Sequence, residues 1–271
     1  MERYFYIIML AVLLSCIGCR QNWSSSLLLS DDDDSVMVVD RYDRIESRYI
    51  TTGDFAALQE MSTKYPEETR TLIEDVVRVG RVDDPEINKK FLLYFQDSTL
   101  IQIQRDVQEQ YASMDDINEE LATACSSLKK MIPTIKMPKV YAQIGSLDQS
   151  IIVGNSSIGV CLDKYLGANY PLYAKYYSIQ QREQMTRRMI VPDVIAFYLL
   201  SLYPMPHLQG DDAQTANDVH MSKIIWIVNK IMKRSVISMH YVEYVDKYMQ
   251  EHPETSATEL LEDVDYKAIV K

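Results

Sequence analysis

Residues 154–167 read GNSSIGVCLDKYLG, and the fold turns on how this stretch is read. Ile158, Val160 and Leu162 fall on one side and Gly159 and Cys161 on the other, which is the period of a β-strand. Ile151-Ile152-Val153 supplies a strand before it. Gly154-Asn155 makes a two-residue hairpin turn, with glycine expected at positive φ in the first position. Gly159 and Cys161 are small enough to let a neighbouring element pack closely. Outward toward the amino terminus, Val140, Ala142 and Ile144 alternate with Tyr141 and Gln143, as in a half-buried strand. On the other side, Asp163-Lys164-Tyr165-Leu166-Gly167 closes the hairpin with a charged pair and a tight turn. Asp163 and Lys164 read as a surface turn, with Tyr165 plugging the core.

Helices flank this segment. Phe55, Leu58 and Met61 share one face of a short helix from Asp54 to Lys64. Pro66-Glu67-Glu68 opens a second, with proline in the first turn and acids at the positive end, and Gly80 ends it. Asp84-Pro85-Glu86 starts a third, and Leu100 to Met114 is a fourth. A fifth begins at Asp115-Asp116, carries Ile117, Leu121, Ala124, Cys125 and Leu128 on one stripe, and stops at Pro133. Beyond the hairpin, Thr186 is a candidate cap, with Arg187 and Arg188 in a first turn that the helix dipole disfavours for cations. Either an acid compensates these arginines or they face a partner. Pro192 kinks that helix or starts it afresh. Val194 to Leu202 is apolar nearly all round, the mark of a central buried helix. Late stripes run over about 215–235 and from Tyr241 to Met249. Ser256 and Glu259 are placed for a capping box.

GNSSIGVCLDKYLG, together with MIVPD at residues 189–193, resembles the central signature of the gliding-motility lipoprotein family GldB and its non-motility relatives. The resemblance is strongest between residues 140 and 205. It implies an α+β, mostly α-helical, zincin-like single domain over residues 41–271, with a small antiparallel β-sheet or hairpin between N- and C-terminal helices. The family looks like a set of decayed zinc peptidases, in which a hairpin precedes a helix carrying His-Glu-x-x-His. The matching letters here are Pro192-Asp193-Val194-Ile195-Ala196. Two histidines four apart share a helix face and so reach one zinc, with the glutamate on its water. Proline and alanine offer no ligand atom, and Asp193 reads as a first-turn capping acid. By resemblance to such peptidases, the strand over Ile158, Val160 and Leu162 is a candidate edge for an extended peptide, with Asp163 and Lys164 beside it.

Other chemistry finds no foothold. Of the four histidines, His207 and His252 neighbour prolines, while His220 and His240 lie on late helices. His240 and Glu243 have half-site spacing without the second pair that a di-metal site needs. There is no Gly-x-Ser-x-Gly, no cysteine beside a recognisable base and no phosphate-cradling loop. The expectation is therefore no cofactor, no metal and no catalysis.

The amino terminus carries an address. Residues 4–18 form an apolar run too short to span a bilayer, which needs about 20 residues, and typical of a secretory signal. It closes on cysteine twice. Gly18-Cys19 followed by Arg20-Gln21-Asn22 suits lipid attachment at Cys19, and Cys16 is the alternative. Acylation with more than one palmitate-type chain gives stable anchoring. Residues 19–40, with Ser24-Ser25-Ser26 and Asp31 to Asp34, read as a flexible tether. The chain has 28 Lys+Arg against 39 Asp+Glu, a net charge of -11, which argues against nucleic acid. Cys125 and Cys161 read as buried thiols, with pairing the alternative. The reading is a non-catalytic envelope lipoprotein, tethered to the outer membrane with its body facing the periplasm, that binds or assembles an unidentified protein or peptide. Ile158, Val160, Leu162, Asp163, Lys164, Arg187 and Arg188 are its candidate contacts. A divergent metallopeptidase and a structural envelope component are the alternatives.

Overall fold

The computed structural model describes residues 37–206, 210 and 212–271. The signal, Cys16, Cys19, most of the tether and His207 lie outside the described residues. Six helices come first: α1 (Tyr42–Thr52), α2 (Phe55–Lys64), α3 (Pro66–Thr71), α4 (Ile87–Tyr94), α5 (Ser98–Gln110) and α6 (Asp115–Met131). The strands β1 (Lys139–Gln143), β2 (Ile151–Val153) and β3 (Ser157–Cys161) follow. Then come α7 (Tyr173–Tyr176), α8 (Ile179–Gln184), α9 (Ile190–Leu202), α10 (Ala213–Met232), α11 (Val242–Glu251), α12 (Ala257–Glu262) and α13 (Tyr266–Ile269). The arrangement is mostly α-helical α+β, as expected.

Local chemistry sets many of the ends. Asp97 caps α5 by accepting from the Thr99 and Leu100 amides, which starts the helix two residues earlier than its apolar pattern does. Ser256 and Glu259 form the expected reciprocal capping box on α12. Pro192 lies in the first turn of α9, where its missing N–H costs nothing. Three expectations fail. Phe55 is exposed, because α2 turns Ala57 and Met61 to the core. Thr186 makes no side-chain cap; it precedes a 3₁₀ turn (Arg187–Met189), and Met189 precedes α9. Residues 39 and 40 belong to the folded body rather than the tether: Val39 is buried and its N–H donates to Asn118 Oδ1 at 2.9 Å.

The sheet is mixed, not antiparallel, and its order is β1-β3-β2. β3 pairs parallel with β1 and antiparallel with β2, so the second arm of the hairpin is inserted between the other strands. The expected ligand edge is therefore the central strand, with both backbone edges occupied and Ile158, Val160 and Leu162 buried.

Both faces of the sheet are covered, which also removes the half-buried character expected of β1. Val140, Ala142, Ile158 and Val160 pack into one core with α6, α9 and α10. Tyr141, Ile152 and Cys161 pack into a second with α1, α2, α4 and the π-helical turn Leu72–Val76 that continues α3. Gly159 makes the second possible: a Cβ there would sit 2.6 Å from the Tyr141 ring, well inside contact distance. That ring stands edge-on to Tyr42, at 6.2 Å between centroids. Gly154 also works by closeness rather than by positive φ, since its Cβ would meet Ser157 Oγ at 2.9 Å. α9 is the central helix and is buried along most of its length, as its composition implied. Cys125 and Cys161 are free, buried thiols in separate cores.

Candidate functional site

Asp163 and Lys164 end β3 in a 3₁₀ turn, and both are buried rather than on a surface turn. Asp163 accepts from the Gly145 amide at 2.7 Å and the Leu147 amide at 2.8 Å. Lys164 Nζ donates to the Leu147 carbonyl at 3.1 Å and to the Tyr177 hydroxyl at 3.0 Å. The Tyr177 hydroxyl donates to the same carbonyl at 2.6 Å. Leu147 takes φ +63, a left-handed backbone that a leucine adopts only when its surroundings fix it. Both of its backbone polar groups are held. The charged pair is thus a clamp on the loop between β1 and β2, and it determines where β2 begins. Burial raises the Asp163 carboxyl above its ordinary range, while the two amides pull it down.

The residues that follow tie this turn to the helices. The Tyr173 hydroxyl donates to the Asp163 carbonyl and accepts from the Leu166 amide at 3.0 Å. The Tyr165 carbonyl accepts from the Tyr111 hydroxyl at 2.7 Å and from Gln110 Nε2 at 3.0 Å.

β2 has one edge on β3 and one that is open. Cys161 N donates to Ser150 O at 2.9 Å and Gly154 N to Ser157 O at 2.8 Å. Antiparallel alternation then turns the N–H and C=O groups of Ile151 and Val153 away from β3. Among the described residues those groups have no hydrogen-bond partner. Beside this edge runs a groove of about 700 Å³, with Tyr141 and Ile152 beneath and Glu67, Arg70, Thr71 and Asp75 on the α3 side. Val153 stands at its rim with 43% of its surface exposed. An extended chain laid here would find backbone partners at alternate residues and a pocketed wall.

The letters Pro192-Asp193-Val194-Ile195-Ala196 lie in α9. Pro192 and Ala196, one turn apart, are both buried and carry no ligand atom. Asp193 does not cap the helix. Its carboxylate accepts from the Tyr165 hydroxyl at 2.8 Å, and burial pushes its pKa up to about 7. His220 bonds the Tyr203 carbonyl and His252 the Tyr248 carbonyl, while His240 packs against the rings of Tyr241 and Tyr244. Among the described residues no group of three or more His, Cys, Asp or Glu side chains converges as a metal site. The residues present do not fit a catalytic zinc.

Arg187 is tied within the fold. Its guanidinium makes two bonds to Asp116, at 2.9 and 2.6 Å, and donates to the carbonyls of Gln110 and Ser113. It also lies 4.8 Å over the Tyr111 ring. Asp116 is the compensating acid that the disfavoured dipole position called for, and the arginine holds its carboxyl below the usual range. Arg188 is exposed.

Of the seven candidate residues, Asp163 and Lys164 thus act together on the β1–β2 loop, Ile158 and Val160 of β3 and Leu162 just after it are core, and the two arginines lie apart from the groove. The groove was not legible in the sequence. The signal that points to it is Gly145 two residues before Leu147, a break in the β1 alternation opposite a buried acid.

A sequence model of the family described as gliding motility protein GldB matches residues 30–240. No curated protein and no solved structure matches the chain.

Proposed function

The chain belongs to the gliding motility protein GldB family, and from that premise we propose that it is a non-catalytic lipoprotein that holds an extended segment of an envelope protein against β2. Family membership supports the cell envelope, lipoprotein character and a relation to gliding motility. No helix among the described residues is long and apolar enough to cross a membrane. Attachment is through lipid at Cys19, or at Cys16, with the body facing the periplasm from the outer membrane. The observation that carries this reading is the open edge of β2 beside the 700 Å³ groove. Main-chain pairing supplies affinity in such a mode, and the wall selects side chains at alternate positions.

Val153→Pro is the discriminating variant, because it removes an outward N–H without touching the ladder to β3. A photo-crosslinking residue at Gln149 or Asn155 of the full-length protein should give a discrete adduct in cells. The adduct should vanish on adding Val153→Pro while protein level and thermal stability hold. An adduct that persists would remove β2 from the function. The competing reading, a divergent metallopeptidase, requires stoichiometric zinc in protein purified from membranes and peptide hydrolysis that a chelator stops.

A further inference from the structure

The groove beside β2 has a charged wall whose charges run along the strand. Glu67, Thr71 and Asp75 step by four residues over α3 and the π-helical turn Leu72–Val76, so they share one face. Turns of this π-helical kind are frequent at functional sites. Two contacts fix the direction of the wall. At one end Glu68 Oε1 accepts from Lys139 Nζ at 3.0 Å, and Lys139 is level with Ser157, beside the Val153 end of β2. At the other, Val76 stands against Gly145, two residues past Gln143, which is level with Cys161 beside the Ile151 end. The wall thus runs antiparallel to β2, with Glu67 toward Val153 and Asp75 toward Ile151.

The fold does not neutralise all of these charges itself. Glu68 is held by Lys139, but Glu67 and Asp75 are exposed, and their carboxylates make no hydrogen bond or ion pair among the described residues. Arg70, the one cation among the lining residues, is exposed and lies in the field of Asp83. From Glu67 to Asp75 the wall advances about 12 Å, at about 1.5 Å per residue. An extended chain covers about 13 Å in four residues, and its side chains at i, i+2 and i+4 point to one face. A segment paired with β2 therefore sets its i and i+4 side chains against the two carboxylates. Its i+2 side chain falls over Ile152 and Tyr141, beside Thr71.

Charge also decides among the possible occupants. A second copy paired edge to edge would bring the same two acids face to face with their counterparts. The chain's own segment before the first described residue carries Asp31 to Asp34 and would add four more negative charges. Like charge disfavours both.

Resting on the docking role of β2, we infer that the strand it takes up is basic, with lysine or arginine at i and i+4 and a small or β-branched neutral residue at i+2. The two cations meet Glu67 and Asp75, while the neutral residue packs on Ile152. A protein of net charge -11 also draws a basic segment in before contact is made.

The test uses the full-length protein in neutral detergent at low salt, with fluorescence anisotropy of four labelled peptides of equal length. The first carries Lys-Thr-Val-Thr-Lys between flanking Thr-Val and Val-Thr pairs. The second has glutamine for both lysines, and the third has glutamate. The fourth keeps both lysines but reads Lys-Thr-Val-Lys-Thr, which turns them to opposite faces. The first should bind about tenfold tighter than the second, since two charge pairs are gained, and the third should bind weakest. The fourth should lose about threefold against the first, and salt at about 0.5 M should shrink both gaps. Glu67→Gln combined with Asp75→Asn should bring the first two peptides within about twofold of each other. Arg70→Gln should widen their gap, because it removes a cation from the wall. All three side chains are exposed, so these variants should melt with the parent. Val153→Pro should weaken the first peptide by at least about tenfold. If the first two peptides bind equally and Val153→Pro weakens both, β2 docks a strand without selecting charge, and the basic-segment inference alone is overturned. Equal binding of the first and fourth overturns it too, as does basic binding that survives Val153→Pro. No binding by any peptide overturns both the inference and the docking role.

Discussion

The two outer edges of the sheet are treated differently. On β1 the chain covers the edge with its own backbone: Asp40 N donates to Val140 O and Asp40 O accepts from Ala142 N, each at 2.8 Å. Side chains reinforce the cover, since the Tyr65 hydroxyl donates to Asp40 at 2.7 Å and Lys139 lies 3.4 Å from it. On β2 nothing among the described residues does this, although an unpaired edge invites pairing with other chains. Instead, Asp163, Lys164 and Tyr177 fix the loop that leads into it. One edge is closed and the other is built and left open. The proposed docking strand requires that asymmetry.

The largest expected effect follows from removing the clamp. Asp163→Ala strands one buried and one partly buried amide, at about 1–3 kcal/mol each, so a loss of about 3 kcal/mol in urea unfolding is expected. The β2 edge should be lost with it, so partner crosslinking falls as well. Gly159→Ala tests the covered face. Its Cβ would overlap the Tyr141 ring, at an expected cost of about 2 kcal/mol, and a second change, Tyr141→Ala, should recover part of that cost in a double-mutant cycle. Asp40→Pro deletes both the N–H that closes β1 and the carboxylate that Tyr65 and Lys139 hold, and should cost about 2 kcal/mol or more. Val153→Pro, the matching change on the open edge, should cost less than about 0.5 kcal/mol, because its N–H has no partner among the described residues. If the two proline variants were equally destabilising, the edges would not differ as described.

A pH series sharpens the contrast from below. Asp193 has a folded pKa of about 7, above its unfolded value, so the folded state holds the proton more tightly. That stabilisation is complete below pH 4 and is lost as pH rises through 7. Melting temperature should fall between pH 5 and 8 by a few degrees, and Asp193→Asn should flatten that fall.

How far the sequence announced this arrangement depended on the range of the interactions concerned. The period-two alternation at 140–144 and 158–162 is local and gave the strands. Helix ends written in capping residues, as at Asp97 and Ser256, are equally local. Strand order is not. Whether β3 lies at an edge or in the middle depends on Asp163 reaching back to Gly145 and Leu147, and nothing in the alternation encodes that reach. The same holds for Arg187, whose partner Asp116 is 71 residues away. Asp163 and Lys164 were legible as special residues because a charged pair closes an apolar strand. Their role was not, because burial reverses what a charged turn ordinarily signifies.

The most direct test of the open edge is residue-resolved hydrogen exchange on the full-length protein, free and in the partner complex recovered from membranes. In the free protein, Ile151 and Val153 amides should exchange fast, while Ile152, which faces β3, exchanges slowly. In the complex Ile151 and Val153 should slow by at least about tenfold as their outward N–H groups acquire acceptors. Unchanged exchange at both residues in a complex shown to be intact would contradict the account.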